Sequence, residues 1–185
     1  MRKAVLLVGL LGLLLALVPA TSSAPAGEPK LDVRSMTYPQ LAEFIKQNRN
    51  KVILVDLWNL GCPPCIASMP HLVELHEKYA SKGLVVVSLN LDDPNDDEIV
   101  ADVKKLLTNK KMAPVHNIML NESQKFWRDK FQIVGVPCVF IFDRDGRWHK
   151  YYEKDLQVQD ETRRVKTEVL EAAVKVLLDQ PATGK

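Results

Sequence analysis

Residues 55–65 read VDLWNLGCPPC, and what Cys62 and Cys65 are for decides the fold. Upstream, Lys51–Trp58 (KVILVDLW) is an apolar, β-branched run, the composition of a strand buried on both faces. Downstream, Ile66, Met69, Leu72, Val73, Leu75 and Tyr79 fall at helical spacings, and Gly83 stops the helix. Pro70 within it predicts a kink, because proline cannot donate to the helical ladder. The cysteines therefore sit where a buried strand hands over to a helix. Cys62 lies at or just before the helix N-terminus, where unpaired N–H groups and the positive end of the dipole favour a thiolate. Pro63 suits the first helical position, which has no hydrogen bond to lose. Cys65, one turn in, presents its sulfur to Cys62 and is the more buried. This division makes Cys62 the attacking nucleophile and Cys65 the resolving thiol.

Two other uses of the pair compete. A structural disulfide here would close a loop of only a few residues and restrict the unfolded chain little. A structural zinc site wants a second ligand pair, and the sequence holds no second CxxC and no paired histidines. Redox exchange fits best.

The start of the chain bears on the compartment. Met1, Arg2 and Lys3 precede an apolar run, Ala4–Val18, broken only by Gly9 and Gly12, and small residues follow Pro19. This is the three-part pattern of a secretory signal peptide over residues 1–24, with cleavage after Ala24 or Ala20. The run is shorter than the roughly 20 residues of a membrane span, so a membrane enters only if the leader stays uncleaved and residues 4–18 act as an anchor. Losing Arg2 and Lys3 takes the 25 basic residues to 23, level with the 23 acidic ones. No basic cluster remains, which argues against nucleic acid or an anionic membrane as partner. The expected location is exported, periplasmic or otherwise extracytoplasmic, where unaided thiols oxidise. The 3 cysteines are Cys62, Cys65 and Cys138, too few for a disulfide scaffold.

Among the 185 residues, 25–35 read as a flexible lead-in and 36–180 as one domain. A helix is predicted from Tyr38, with Leu41, Phe44 and Ile45 on one face. A second buried strand spans Leu84–Leu91, a helix Asn95–Thr108, an extended piece Val115–Leu120 and a helix Ser123–Lys130. Val136–Phe142 reads as a strand, and Asp143–Gly146 as a hairpin turn into Arg147–Tyr152. A last helix is predicted over Asp160–Leu178, burying Val165, Val169, Ala172, Ala173 and Val176. The acidic run Asp92–Glu98 lacks the glycine and terminal glutamate of a calcium loop, and reads as helix-dipole complement and N-cap. The fold class is α/β, a mixed sheet flanked by helices, with the CPPC at the end of the sheet where sites are built.

On these residues the chain resembles the thioredoxin superfamily. VILVDLWNLGCPPC resembles its active-site strand and turn, and VGVPCVFIFDRDGR its cis-proline strand and hairpin. The leader, the CPPC followed by Met69-Pro70, and the extension from Asn90 to Phe131 resemble the exported TlpA/ResA-like thiol-disulfide oxidoreductases and their central insertion. The resemblance implies a thioredoxin-like fold and a redox-active Cys62–Cys65 disulfide that needs no cofactor and no metal. It implies that Asp56 is the buried acid that moves the proton of Cys65. A carboxyl inside a β-run is costly to ionise, so its pKa should rise. It implies that Pro137 is cis and turns the Val136 backbone towards a substrate peptide, with Trp58 packed beneath; these three form the expected substrate-binding group. The implied partners are protein disulfide or dithiol substrates, apocytochrome c among them, and a membrane thiol electron donor.

Four positions depart from the pattern. Gly61 replaces a tryptophan, Ser68 a glutamate and Ser88 a lysine, which removes a lid and two charges that tune the thiols. Pro63 and Pro64 delete two N–H donors near Cys62, which predicts a less stabilised thiolate and a more reducing couple. Cys138 stands where a threonine is usual. It is expected close to Cys62 and Cys65, either as an inert buried thiol or as an accessory one. In the second case the three thiols suit a redox sensor or a soft-metal carrier for Cu(I), the alternative function. His71 and His149 are single histidines and are not read as ligands.

Overall fold

The structure is a computed structural model and describes residues 29–152 and 167–183. The leader, residues 1–24, and the predicted helix start at 160–166, with Val165, lie outside the described residues. Among the described residues six strands and five α-helices follow one another: β1 (Val33–Met36), α1 (Tyr38–Gln47), β2 (Val52–Trp58), α2 (Pro63–Tyr79), β3 (Leu84–Asn90), α3 (Asp97–Asn109), β4 (His116–Leu120), α4 (Gln124–Phe131), β5 (Cys138–Phe142), β6 (Trp148–Tyr152) and α5 (Thr167–Asp179).

They form one sheet of order β1-β4-β3-β2-β5-β6. The first four strands of that order run parallel, and β5 and β6 are antiparallel to their neighbours. Both central strands are buried along their whole length, as continuous β-branched runs require. Alternation then assigns each side chain to a face. Val52, Leu54 and Trp58 join a core with α2, α3 and α5, while Ile53, Val55 and Leu57 join the opposite core with α1 and α4. Asp56 therefore points to the α2–α5 side.

Gly83 ends the turn after α2 at a φ of 96°, a left-handed conformation that costs glycine nothing. A Cβ there would come within 3.2 Å of the Arg144 guanidinium. Arg144, in the β5–β6 hairpin, donates to the carbonyls of Asn50, Lys82, Leu178 and Gln180. One side chain thus ties three loops together at the end of the sheet remote from the CPPC.

Three expectations change. The lead-in segment 25–35 is not loose throughout, since Val33–Ser35 pair with β4 as part of an edge strand. The buried face of α5 consists of Leu170, Val174 and Leu177. Val169 and Val176 are 39% and 58% exposed and Ala172 is exposed; among the described members of the expected set only Ala173 packs partly inward. The helix carries two apolar stripes, and the leucines remove more apolar area from water than the alanines do. Strand β5 starts at Cys138 rather than Val136, just after a proline that has no N–H to give to a ladder.

Candidate active site

The parallel run of β2 ends at Trp58, and the chain turns through Asn59–Gly61 into Cys62, the N-cap of α2. Asp92, just beyond β3, pins that turn. Its Oδ2 accepts from the Leu60 N–H and from the Asn90 side chain, both at 2.8 Å. Asp96, further along the acidic run, caps α3 through the N–H groups of Glu98 and Ile99. The cap is legible in the acidic run, whereas the part played by Asp92 is not. The signal for it was position: an acid just past a parallel strand lies at the edge where the neighbouring strand delivers its cysteines.

Cys62 and Cys65 form a disulfide, with S–S 1.99 Å and Cα–Cα 5.4 Å. Both cysteines are buried, Cys62 at 5% exposure and Cys65 at 1%, so Cys65 is the inner of the two. With Pro63 and Pro64 lacking N–H groups, the Cys65 N–H is the donor that reaches the Cys62 sulfur, at 3.3 Å. The Cys65 sulfur lies 4.0 Å from the Leu57 carbonyl, a contact that only the reduced thiol can use as donor. Beside Cys62, a Cβ at Gly61 would meet only Asn59 Oδ1, at 3.6 Å, so the lid position is open.

The Val136–Pro137 bond is cis, as expected, and Pro137 and Pro64 line one small cavity at this end of the sheet. Asp56 lines the same cavity at 3% exposure. Burial lifts its carboxyl from an ordinary 3.8 to about 7, because the charged form loses its hydration. Its Oδ2 has no hydrogen-bond partner among the described residues.

These residues sit inside a domain whose family model, described as thioredoxin-like, matches residues 50–148. The chain belongs to the thioredoxin-like family. It is 26% identical over 141 residues to the protein DipZ of Mycobacterium bovis, covering 75% of this chain and 20% of DipZ. It is 24% identical over 103 residues to the thiol-disulfide oxidoreductase ResA of Bacillus thuringiensis, covering 56% of this chain and 55% of ResA. The chain thus spans about a fifth and about half of these two curated relatives. A solved thiol-disulfide isomerase from Corynebacterium glutamicum superposes with a TM-score of 0.56 at 20% identity, over 73% of this chain and 86% of that one. At that identity the match speaks for the thioredoxin-like fold.

Two expectations about this thioredoxin-like site are corrected. Trp58 is fully buried and cannot touch a substrate; its Nε1 donates to the Ser88 hydroxyl at 2.7 Å. Ser88 is thereby committed to holding Trp58. Trp58→Phe should strand that buried hydroxyl and cost about 1–3 kcal/mol, read as a lower urea midpoint for the oxidised protein. Cys138 is not beside the disulfide. It pairs with Leu57 in the β2–β5 register and faces the α1–α4 core, whereas Asp56 and Val139 face the CPPC side. A one-residue step along a strand changes the face. No group of three or more metal-ligating side chains occurs among the described residues, so the three-thiolate alternative loses its third sulfur.

Proposed function

We propose that this protein is an extracytoplasmic thiol-disulfide oxidoreductase that reduces disulfides of exported proteins. The observation that carries the reading is the Cys62–Cys65 pair at the N-terminus of α2, flanked by the cis Val136–Pro137 bond and the buried carboxyl of Asp56. A thiol donor first reduces the pair. The Cys62 thiolate then attacks one sulfur of a substrate disulfide and expels the other as a thiolate, which takes a proton from water. Asp56 removes the proton of Cys65, the Cys65 thiolate attacks Cys62, and the second substrate thiolate leaves. Two electrons pass from the dithiol to the substrate. Val136, half-buried beside the pair, offers its backbone to an extended substrate segment.

The leader pattern supports export, and the likeness to ResA supports the reaction class. Apocytochrome c is the first substrate to test, and a membrane thiol transporter is the donor that an exported reductase requires. Among the described residues no helix is long and apolar enough to cross a membrane. The reducing direction is supported at Cys62, where two prolines leave the Cys65 N–H as the donor that reaches the sulfur.

Equilibration in graded glutathione buffers, followed by thiol trapping and mass spectrometry, tests this. The expected couple lies at or below about −200 mV, against roughly −120 mV for a strong oxidant. A potential near the latter value would reverse the direction of electron flow.

A further inference from the structure

The proton that Asp56 takes from Cys65 has to leave a carboxyl that is 3% exposed. The cavity beside it has a volume of about 10 Å³, close to the ~10–15 Å³ that one water needs. His71, one helical turn and a half beyond Cys65 on α2, lines the same cavity, with Ser68 and Thr167. Its Nε2, like Asp56 Oδ2, is buried and lacks a hydrogen-bond partner among the described residues. Buried polar atoms without partners are uncommon, and two of them on one water-sized cavity point to a shared bridging molecule. The other ring nitrogen, Nδ1, lies 3.4 Å from the carboxylate of Glu74, whose side chain is 72% exposed. The imidazole therefore spans the wall between cavity and solvent.

We propose that His71 is the outer proton acceptor of this site, receiving at Nε2, through one water, the proton that Asp56 has taken from Cys65. His71 then gives up the Nδ1 proton to solvent beside Glu74, changes tautomer, and is reset by exchange with water. No bond other than N–H and O–H bonds is made or broken in the relay, and Asp56 returns to its carboxylate form for the next resolution step. Ser68 extends the polar wall: its hydroxyl donates to the Cys65 carbonyl at 2.8 Å and keeps lone pairs for the cavity. The charged groups around His71 are Asp56 from β2, Glu74 from α2 and Glu171 from α5. Glu171 is occupied by Lys78 and Tyr79, whose hydrogen bonds hold its carboxyl below the usual range, with a smaller effect from His71 itself. Glu74 is thus the carboxylate left to face the imidazole.

The inference rests on the dithiol reading, and one experiment separates the two. The reduced protein is mixed with excess 5,5′-dithiobis(2-nitrobenzoate) in a stopped-flow instrument. Attack by Cys62 releases the first thionitrobenzoate, and attack by Cys65 on the resulting mixed disulfide releases the second. In wild type a second release at one equivalent is expected; its absence would overturn the dithiol reading itself. In His71→Ala and His71→Gln the first phase should be unchanged and the second slowed about tenfold near pH 7, a modest share of the effect of a general base. Added imidazole should restore the rate in His71→Ala, and in an Asp56→Asn background His71→Ala should have no further effect. The Gln variant retains a polar group at the cavity and checks that the fold is intact. An unchanged second phase in both variants, or equal slowing with and without Asp56, would reduce His71 to a wall residue.

Discussion

Cys65→Ser is expected to turn this protein into a trap. Cys62 keeps its place at the N-cap of α2 and still attacks a substrate disulfide, but nothing then releases the adduct. Turnover should fall on the order of 10⁴-fold, the scale seen when one member of a nucleophilic constellation is removed. A disulfide-linked substrate should appear on non-reducing gels and in the intact mass. Cys62→Ser should lose as much turnover and trap nothing, because Cys65 is 1% exposed and has no path to a macromolecular disulfide. The contrast between the two variants assigns attacker and resolver. Cys138→Ser tests the corrected geometry, since its side chain faces the α1–α4 core on the far side of the sheet. It should leave both turnover and trapping alone. Resolution by Cys138 in the Cys65→Ser protein would show that the thiol reaches across the sheet.

The site was legible where chemistry is local and obscure where it depends on which strand pairs with which. The strand–CPPC–helix handover, the N-cap role of Cys62 and the burial of Asp56 follow from runs of adjacent residues, and the structure contains all three. The placement of Cys138 needed the antiparallel register that sets Leu57 opposite Cys138 and Asp56 opposite Val139. A slip of one residue reverses every such assignment, and nothing in either strand alone states the register. β1 escaped for a different reason: VRSM is four residues long, only partly buried and free of an alternating pattern. The face of α5 was ambiguous because the helix has two apolar stripes, and tertiary packing chose the leucines. Asp92 and His71 matter through partners 32 residues away in the chain and 15 residues away across a cavity wall, respectively.

Asp56→Asn is expected to make the protein more stable and less active. The sign follows from where the protons sit. The unfolded chain ionises Asp56 around pH 3.8, whereas the folded chain holds the proton up to about pH 7. Between those values the folded state binds more protons, so stability falls as pH rises, is greatest below the unfolded pKa, and is fully depleted above about 7. At roughly 1.36 kcal/mol per pH unit, the rise from 3.8 to about 7 costs the folded state about 4 kcal/mol at pH 8. Asparagine carries no charge to desolvate. Urea unfolding of the oxidised proteins should therefore give similar midpoints near pH 4 and a clear advantage for the variant near pH 8. Flat pH dependence in wild type would mean that Asp56 meets solvent. The same substitution removes the base for Cys65, so the resolution step should slow by about 10²-fold near neutral pH. The loss should shrink at alkaline pH, where the Cys65 thiol ionises unaided. A slower resolution step beside a stabilised fold would mark Asp56 as a carboxyl kept for proton transfer, and among the described residues its Oδ2 has no hydrogen-bond partner that would argue for a structural role.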